Sequence, residues 1–452
     1  IVWLAVGTAY GGATSQTRGP GQAGEPPRPA AGPATPPGPV GGPPTAPFLR
    51  LDTGMHTAAI IRIGIDAANR YLATGSEDKT VRVWELASGR LLRTLRPPIS
   101  AGNEGKIFGI ALSPDGTIIA AGGVTGHAWD ASYSVYLFDR ESGKLLRRLT
   151  GLPSEVFHLA FSRDGRFLVA TLQGTNGMRL YRTQDYTQVA SDKEYGDGGS
   201  HWADFDASGR LITTSRDGFI RLYDRGWRLQ AKRKAPGGTR PYSVAFSPDG
   251  TRVAVGFEDA TMVDVLSGQD LSPLYAPDTT GVGNGNLASV CWSADGRWLY
   301  AGGVYEAQHL NPIRRWAEGG KGTALDLPAA QNSIMHILPL MAGGVIFGAF
   351  EPSFGVLDAT GKRRLFQGPT GADFRGNWQG FRIAHDGAEI GRIYEVQSAP
   401  TEDVHWFWAH WLMGPARAAG LRTHGRAATL EDAKAQFRTA TERFREWKND
   451  QE

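Results

Sequence analysis

Apolar residues in the middle of this chain fall in runs of four to six, too short for helices, and turn-forming residues end each run. The runs come in pairs around a compact polar turn. Its purest copies are Ser113-Pro114-Asp115-Gly116 and Ser247-Pro248-Asp249-Gly250. Looser copies are Ser162-Arg163-Asp164-Gly165, Asp206-Ala207-Ser208-Gly209 and Ser293-Ala294-Asp295-Gly296. Proline presets φ, aspartate bonds its own backbone, and glycine accepts the left-handed conformation that closes the loop. The flanking segments 108–112, 156–161, 243–246 and 289–292 before the turn, and 118–121, 167–170, 253–255 and 298–301 after it, are β-branched and aromatic. They predict buried antiparallel strands.

The turn recurs at a nearly fixed interval. Steps of 47, 49, 44, 41, 46 and 47 residues separate Asn69, Gly116, Gly165, Gly209, Gly250, Gly296 and Gly343. A step of this size means one supersecondary unit copied about seven times. A third strand follows in most copies (81–84, 135–138, 179–181, 220–223, 262–263), and a Ser-Gly turn such as Ser88-Gly89 leads to a fourth, as in 91–95. The unit is therefore a four-stranded meander. Such a sheet cannot cover its own apolar faces, and radial stacking covers them.

The stretch Thr74-Gly75-Ser76-Glu77-Asp78-Lys79-Thr80-Val81-Arg82-Val83-Trp84-Glu85 resembles a WD40 repeat, with Glu85 where the final aspartate is usual. Ser215-Arg216-Asp217-Gly218-Phe219-Ile220-Arg221-Leu222-Tyr223-Asp224 resembles it too, and the resemblance extends across 48–367. More narrowly, it is to secreted bacterial WD40 proteins that sometimes accompany a caspase-like peptidase domain. The resemblance implies an all-β, seven-bladed propeller. Two segments compete for the strand that closes the ring: Pro47-Phe48-Leu49-Arg50-Leu51-Asp52 and Lys362-Arg363-Arg364-Leu365-Phe366.

Composition adds modest bounds. The chain has 452 residues and a formal net charge of +3, which does not mark a nucleic-acid binder. Cys291 is the single cysteine, so no intramolecular disulfide forms. Residues 1–16 begin apolar and read as the tail of a signal peptide or membrane anchor, and Pro/Gly/Ala-rich residues 17–46 as an extended tether. This predicts a periplasmic or secreted protein, either held at a membrane by an N-terminal tether or released beyond it, and a monomer. The propeller is expected over 47–370 and a small α+β appendage over 371–452. The appendage resembles a small uncharacterised bacterial β-β-α family. Its strands are expected near 380–387, 390–394 and 404–409, with a helix capped by Thr429 and Asp432. The helix carries the apolar face Leu430, Ala433, Phe437, Ala440, Phe444 and Trp447. The cluster Trp406, Phe407, Trp408 and Trp411 reads as strand packing.

Catalytic chemistry finds little support. His127 and Asp130 are two candidate ligands without a third at metal-site spacing. Gly281-Val282-Gly283-Asn284-Gly285-Asn286 resembles a phosphate loop, but no helix or Lys-Ser/Thr follows, and it reads as a flexible inter-blade loop. Cys291 lies within an apolar strand and lacks a caspase-type signature. The innermost strands carry Gly109, Ile110, His158, Val244 and Ser289 rather than matched acids or histidines. The expectation is a protein with no cofactor, no metal and no enzymatic activity.

In the resembled fold, blade-to-blade loops and the loops between second and third strands share one rim. The long loops here, 97–106, 122–134, 276–287 and 302–312, all belong to it. The sequence therefore predicts a protein-interaction scaffold whose partner binds this rim through His127, Trp129, Asp130, Tyr133, Tyr305 and His309, its aromatics exposed as anchors. Two rivals are a regulatory or sensor propeller for a separate caspase-like peptidase and a propeller-type hydrolase.

Overall fold

The computed structural model describes residues 54–368 except 101 and 197, four strands between 379 and 427, and several helical residues between 429 and 443. The expected leader (1–16), linker (17–46) and Pro47-to-Asp52 strand lie outside the described residues. So do the helix-face positions Leu430, Ala433, Phe437, Ala440, Phe444 and Trp447, and also Trp411.

The repeated turn has one geometry in four copies. Each serine hydroxyl donates to the aspartate carboxylate two residues on, at 2.6 Å, for Ser113, Ser162, Ser247 and Ser293. The same hydroxyl accepts the N–H that opens the next strand, at 2.9–3.0 Å, from Ile118, Phe167, Arg252 and Trp298. The closing glycine is left-handed, as at Gly116 (φ 76°). Asp66 and Asp206 open the equivalent turns of the first and fourth copies, and Asp66 accepts the N–H groups of Arg70 and Tyr71 at 2.7 and 2.8 Å.

Seven four-stranded antiparallel sheets follow, at 60–95, 107–152, 156–192, 200–234, 241–275, 289–330 and 334–367, here blades 1 to 7. In every one the strands pair in sequence order. The first strands are innermost: each packs against the first strand of the next blade, and that of blade 7 packs against that of blade 1. The core is divided into seven apolar clusters, one between each neighbouring pair of blades. This is the arrangement expected of sheets that bury one another's faces.

The structure decides how the ring closes. The outer strand of blade 7 is Arg363–Gln367, paired with Phe354–Leu357 of the same blade. No strand among the described residues is exchanged between blades. The seam between blades 7 and 1 is closed by packing of Ile60, Ile63, Leu72, Trp84, Leu340, Ile346 and Phe354. Gly348 is needed there, because a Cβ would lie 2.8 Å from Ile63 Cγ2. Blade 1 is also braced internally. His56 bonds Asp78 (2.9 Å) and Thr74 (2.7 Å), and the Trp84 indole donates to Thr74 (2.9 Å). In blade 4 the Tyr195 hydroxyl bonds both Thr213 (2.7 Å) and Tyr223 (2.9 Å).

Beyond the ring, Gln379–His385, Ala388–Gln397, Val404–His410 and His424–Ala427 pair in order as a further antiparallel sheet. His424–Ala427 is a strand the sequence reading did not include. The Asp432 N–H donates to the Thr429 hydroxyl (3.1 Å), which donates to the Asp432 carboxylate (2.8 Å).

Candidate interaction site

An inner strand starts where the inter-blade loop delivers the chain, and the antiparallel second strand returns to that same edge. The long loops and the first residues of the inner strands therefore share one rim, as the repeat order requires.

The loops on this rim are knitted together. The Glu104 carboxylate accepts the N–H groups of Gly126 (2.6 Å) and Ala128 (3.1 Å), fastening loop 97–106 to the single helical turn His127–Asp130. His127 is exposed and its ring packs on Tyr133 (centroids 4.9 Å), while exposed Asp130 pairs with Arg148. Half-buried Tyr133 donates to Glu155 (3.2 Å). Trp129 is 5% exposed and belongs to the interior of its loop.

Across the rim, Tyr305 is 4% exposed, and its hydroxyl donates to Asp326 (2.9 Å), which Arg314 grips at 2.7 and 2.9 Å. His309 is exposed. The expectation that Trp129 and Tyr305 are exposed anchors is thus corrected: both fold inward, where their apolar area is covered. The expectation of a flexible 281–286 loop is corrected as well. Asn284 exchanges two hydrogen bonds with the Glu306 backbone (3.0 and 2.9 Å), and Asn286 bonds Glu258 and Val304 (2.9 and 3.0 Å).

A second set of rings lies on the inner strands. A β-bulge interrupts the inner strand pair in six blades near its first residues. Bulges re-aim side chains. Here the bulge region supplies Phe108, Phe157, His201 and Tyr242, whose rings touch in sequence across blades 2 to 5 (centroids 6.4, 4.9 and 5.4 Å). Phe108, Phe157 and Tyr242 are half-buried, as are Ile61 and Met335 at the equivalent positions of blades 1 and 7. They form an aromatic and aliphatic collar at the channel mouth.

The next residue of each strand forms a second tier: Arg62, Gly109, His158, Trp202, Ser243, Ser289 and His336. His158 stacks on Trp202 (4.5 Å), His336 meets the Trp202 edge (4.6 Å), and the Arg62 guanidinium lies 4.4 Å from the Trp202 ring. Side chains of this tier also join neighbouring blades. Ser243 accepts the Val290 N–H (2.8 Å), Ser289 that of Ile337 (3.1 Å), and His336 Nδ1 that of Ile63 (3.2 Å). Burial, reinforced by the Arg62 charge, holds His158 and His336 well below the usual imidazole range. Burial, Arg216 and Arg62 bring His201 down to about 3.

The collar was not among the sequence candidates, although a signal existed. Each member stands five residues before the residue opening its turn (Asp66, Ser113, Ser162, Asp206, Ser247, Leu340), and the second tier stands four before. Cys291 is buried, and burial pushes its thiol up. Among the described residues no three His, Cys, Asp or Glu side chains group to hold a metal.

Comparison with known proteins agrees with this architecture. Residues 52–85, spanning most of blade 1, match the family model "WD domain, G-beta repeat". The chain is 26% identical over 271 residues to a guanine nucleotide-binding protein subunit beta of Arabidopsis thaliana, covering 55% of this chain and 66% of the relative. It is 30% identical over 95 residues to the small ribosomal subunit protein RACK1y of Oryza sativa subsp. japonica (21% and 27%). It is 31% identical over 114 residues to a periodic tryptophan protein 2 homolog of Schizosaccharomyces pombe (25% and 12%). The chain thus spans from 12% to just under two thirds of the length of these three relatives. Residues 60–367 form a WD40-type propeller.

Proposed function

We propose that this WD40-type propeller is a non-enzymatic scaffold that receives a protein partner on the long-loop rim, anchored at the channel mouth. One observation carries the reading: a collar of aromatic and aliphatic side chains from every blade but the sixth, half-buried except for buried His201, set inside loops that hydrogen bonds hold in place. A rigid scaffold presenting apolar anchors within a polar margin has the anatomy of a protein-binding surface. Exposed His127, Asp130 and His309 would lie in the margin, with Tyr133.

Photo-crosslinking tests this. p-Benzoylphenylalanine at position 157 should capture a discrete partner from native extract, and the same probe at Asp249, on the opposite rim, should not. Tyr242→Ala should weaken that capture. Equal capture from both rims would refute the assignment. The apolar start of the chain and the Pro/Gly/Ala-rich composition of 17–46 support a further proposal, an exported protein held near a membrane. Cell fractionation that finds the intact protein in the cytosol would overturn it.

A further inference from the structure

Arg62 carries a fixed positive charge beneath the collar, and among the described residues no carboxylate pairs with it. It is 2% exposed. Among the described residues its acceptors are the Ile61 carbonyl (2.9 Å) and the Tyr242 hydroxyl (3.1 Å), both reached through Nη1, and its buried Nε has no partner. Buried His158 Nδ1 and His201 Nε2 are also without partners. Burial keeps those imidazoles neutral, so they do not compete with Arg62 as cations. Two other buried guanidinium groups meet carboxylates: Arg221 has Asp217 (2.5 Å) and Arg314 has Asp326 (2.7 Å). Arg179 bonds the Asn176 and Met178 carbonyls and Arg315 the Ala359 carbonyl, but both sit on the third strands of blades 3 and 6, away from the collar.

A buried charge without a counter-charge is costly, and the contacts with Trp202 and Tyr242 (4.4 and 5.2 Å) offset part of that cost while holding the guanidinium plane. A planar guanidinium with unspent donors fits a carboxylate. We propose that Arg62 is a receptor for a carboxylate carried by the peptide segment that enters the channel mouth, the collar taking the apolar or aromatic side chain beside it. This rests on the reading of the mouth as the partner-binding site and names the chemistry that partner must present. The carboxylate is either a chain terminus or an Asp/Glu side chain.

Three small probes separate these sources: N-acetylphenylalanine, N-acetylaspartyl-phenylalanine amide and N-acetylphenylalanine amide. Binding is read by 19F NMR of the full chain labelled with 5-fluorotryptophan, the Trp202 resonance being assigned through Trp202→Phe. At least one carboxylate probe should shift that resonance saturably, and the amide should bind about tenfold or more weakly, a difference of ~1.4 kcal/mol. Arg62→Lys should keep part of the preference and Arg62→Met should lose it. The wild-type comparison decides the matter even if Arg62→Met fails to fold. Equal binding of carboxylates and amide, or no shift from any probe, overturns the proposal. Position-157 crosslinking that persists alongside such a result leaves the scaffold reading standing and removes only the carboxylate.

Discussion

Replacing His336 tests how the ring is held shut. Its Nδ1 accepts the Ile63 N–H across the seam between blades 7 and 1, and its ring meets the edge of Trp202. His336→Ala strips the acceptor from a buried N–H, at about 1–3 kcal/mol, and removes a ring contact worth about 0.5–1.5 kcal/mol. The expected loss is about 1.5–4.5 kcal/mol. His336→Ser loses the same ring but restores the hydroxyl that Ser243 and Ser289 use at the two preceding blade junctions. It should therefore be more stable than the alanine variant by about 1 kcal/mol. Urea unfolding at neutral pH, followed by tryptophan fluorescence, measures both midpoints. Variants unfolding at the same urea concentration with equal slopes would show that the bond across the seam adds nothing.

Four further outcomes follow. Because His158, His201 and His336 protonate less readily folded than unfolded, their contribution is intact above about pH 6.5 and is lost as pH falls towards their folded values. His201→Phe should flatten the acid limb by as much as ~1.4 kcal/mol per pH unit, and an unchanged slope would contradict the assignment. Glu351 runs the other way: burial pushes its carboxyl up to about 7, so stability falls as pH rises from about 4.5 through 7, and Glu351→Gln should raise the melting temperature at pH 8 but not at pH 4. Cys291 should resist thiol reagents until the protein unfolds; rapid labelling of the native state would refute its burial. A chain starting at Asp52 should melt within a few degrees of the full one, since blade 7 supplies its own outer strand, and a collapse in melting temperature would mean that the ring borrows a strand from before that point.

The blades were legible because turn chemistry is local. Serine, aspartate and glycine at fixed offsets bond one another within six residues, as in Ser113 to Ile118, so the same letters return wherever the same bend does. Closure was not legible from pattern alone. Pro47-to-Asp52 and Lys362-to-Phe366 have similar strand composition, and only pairing with Phe354–Leu357 identifies the second as the outer strand of blade 7. The rim was readable from loop lengths, but the direction of a loop aromatic was not. Trp129 and Tyr305 look alike in sequence whether they face water or protein, and the partners that turn them inward, such as Asp326, come from other strands. The collar escaped notice because no repeat contributes more than one residue to it, Phe108 and Phe157 among them, and it becomes visible only when the repeats are aligned on their turns.

Because each blade owns all four of its strands, the order of the wedges around the axis does not depend on where the polypeptide happens to begin. Circular permutants opened at any inter-blade junction should assemble the same wheel. Loss or duplication of one wedge would change the circumference without leaving half a sheet behind. Such a protein can vary its diameter by whole units, a freedom denied to rings latched by a strand on loan from the far terminus.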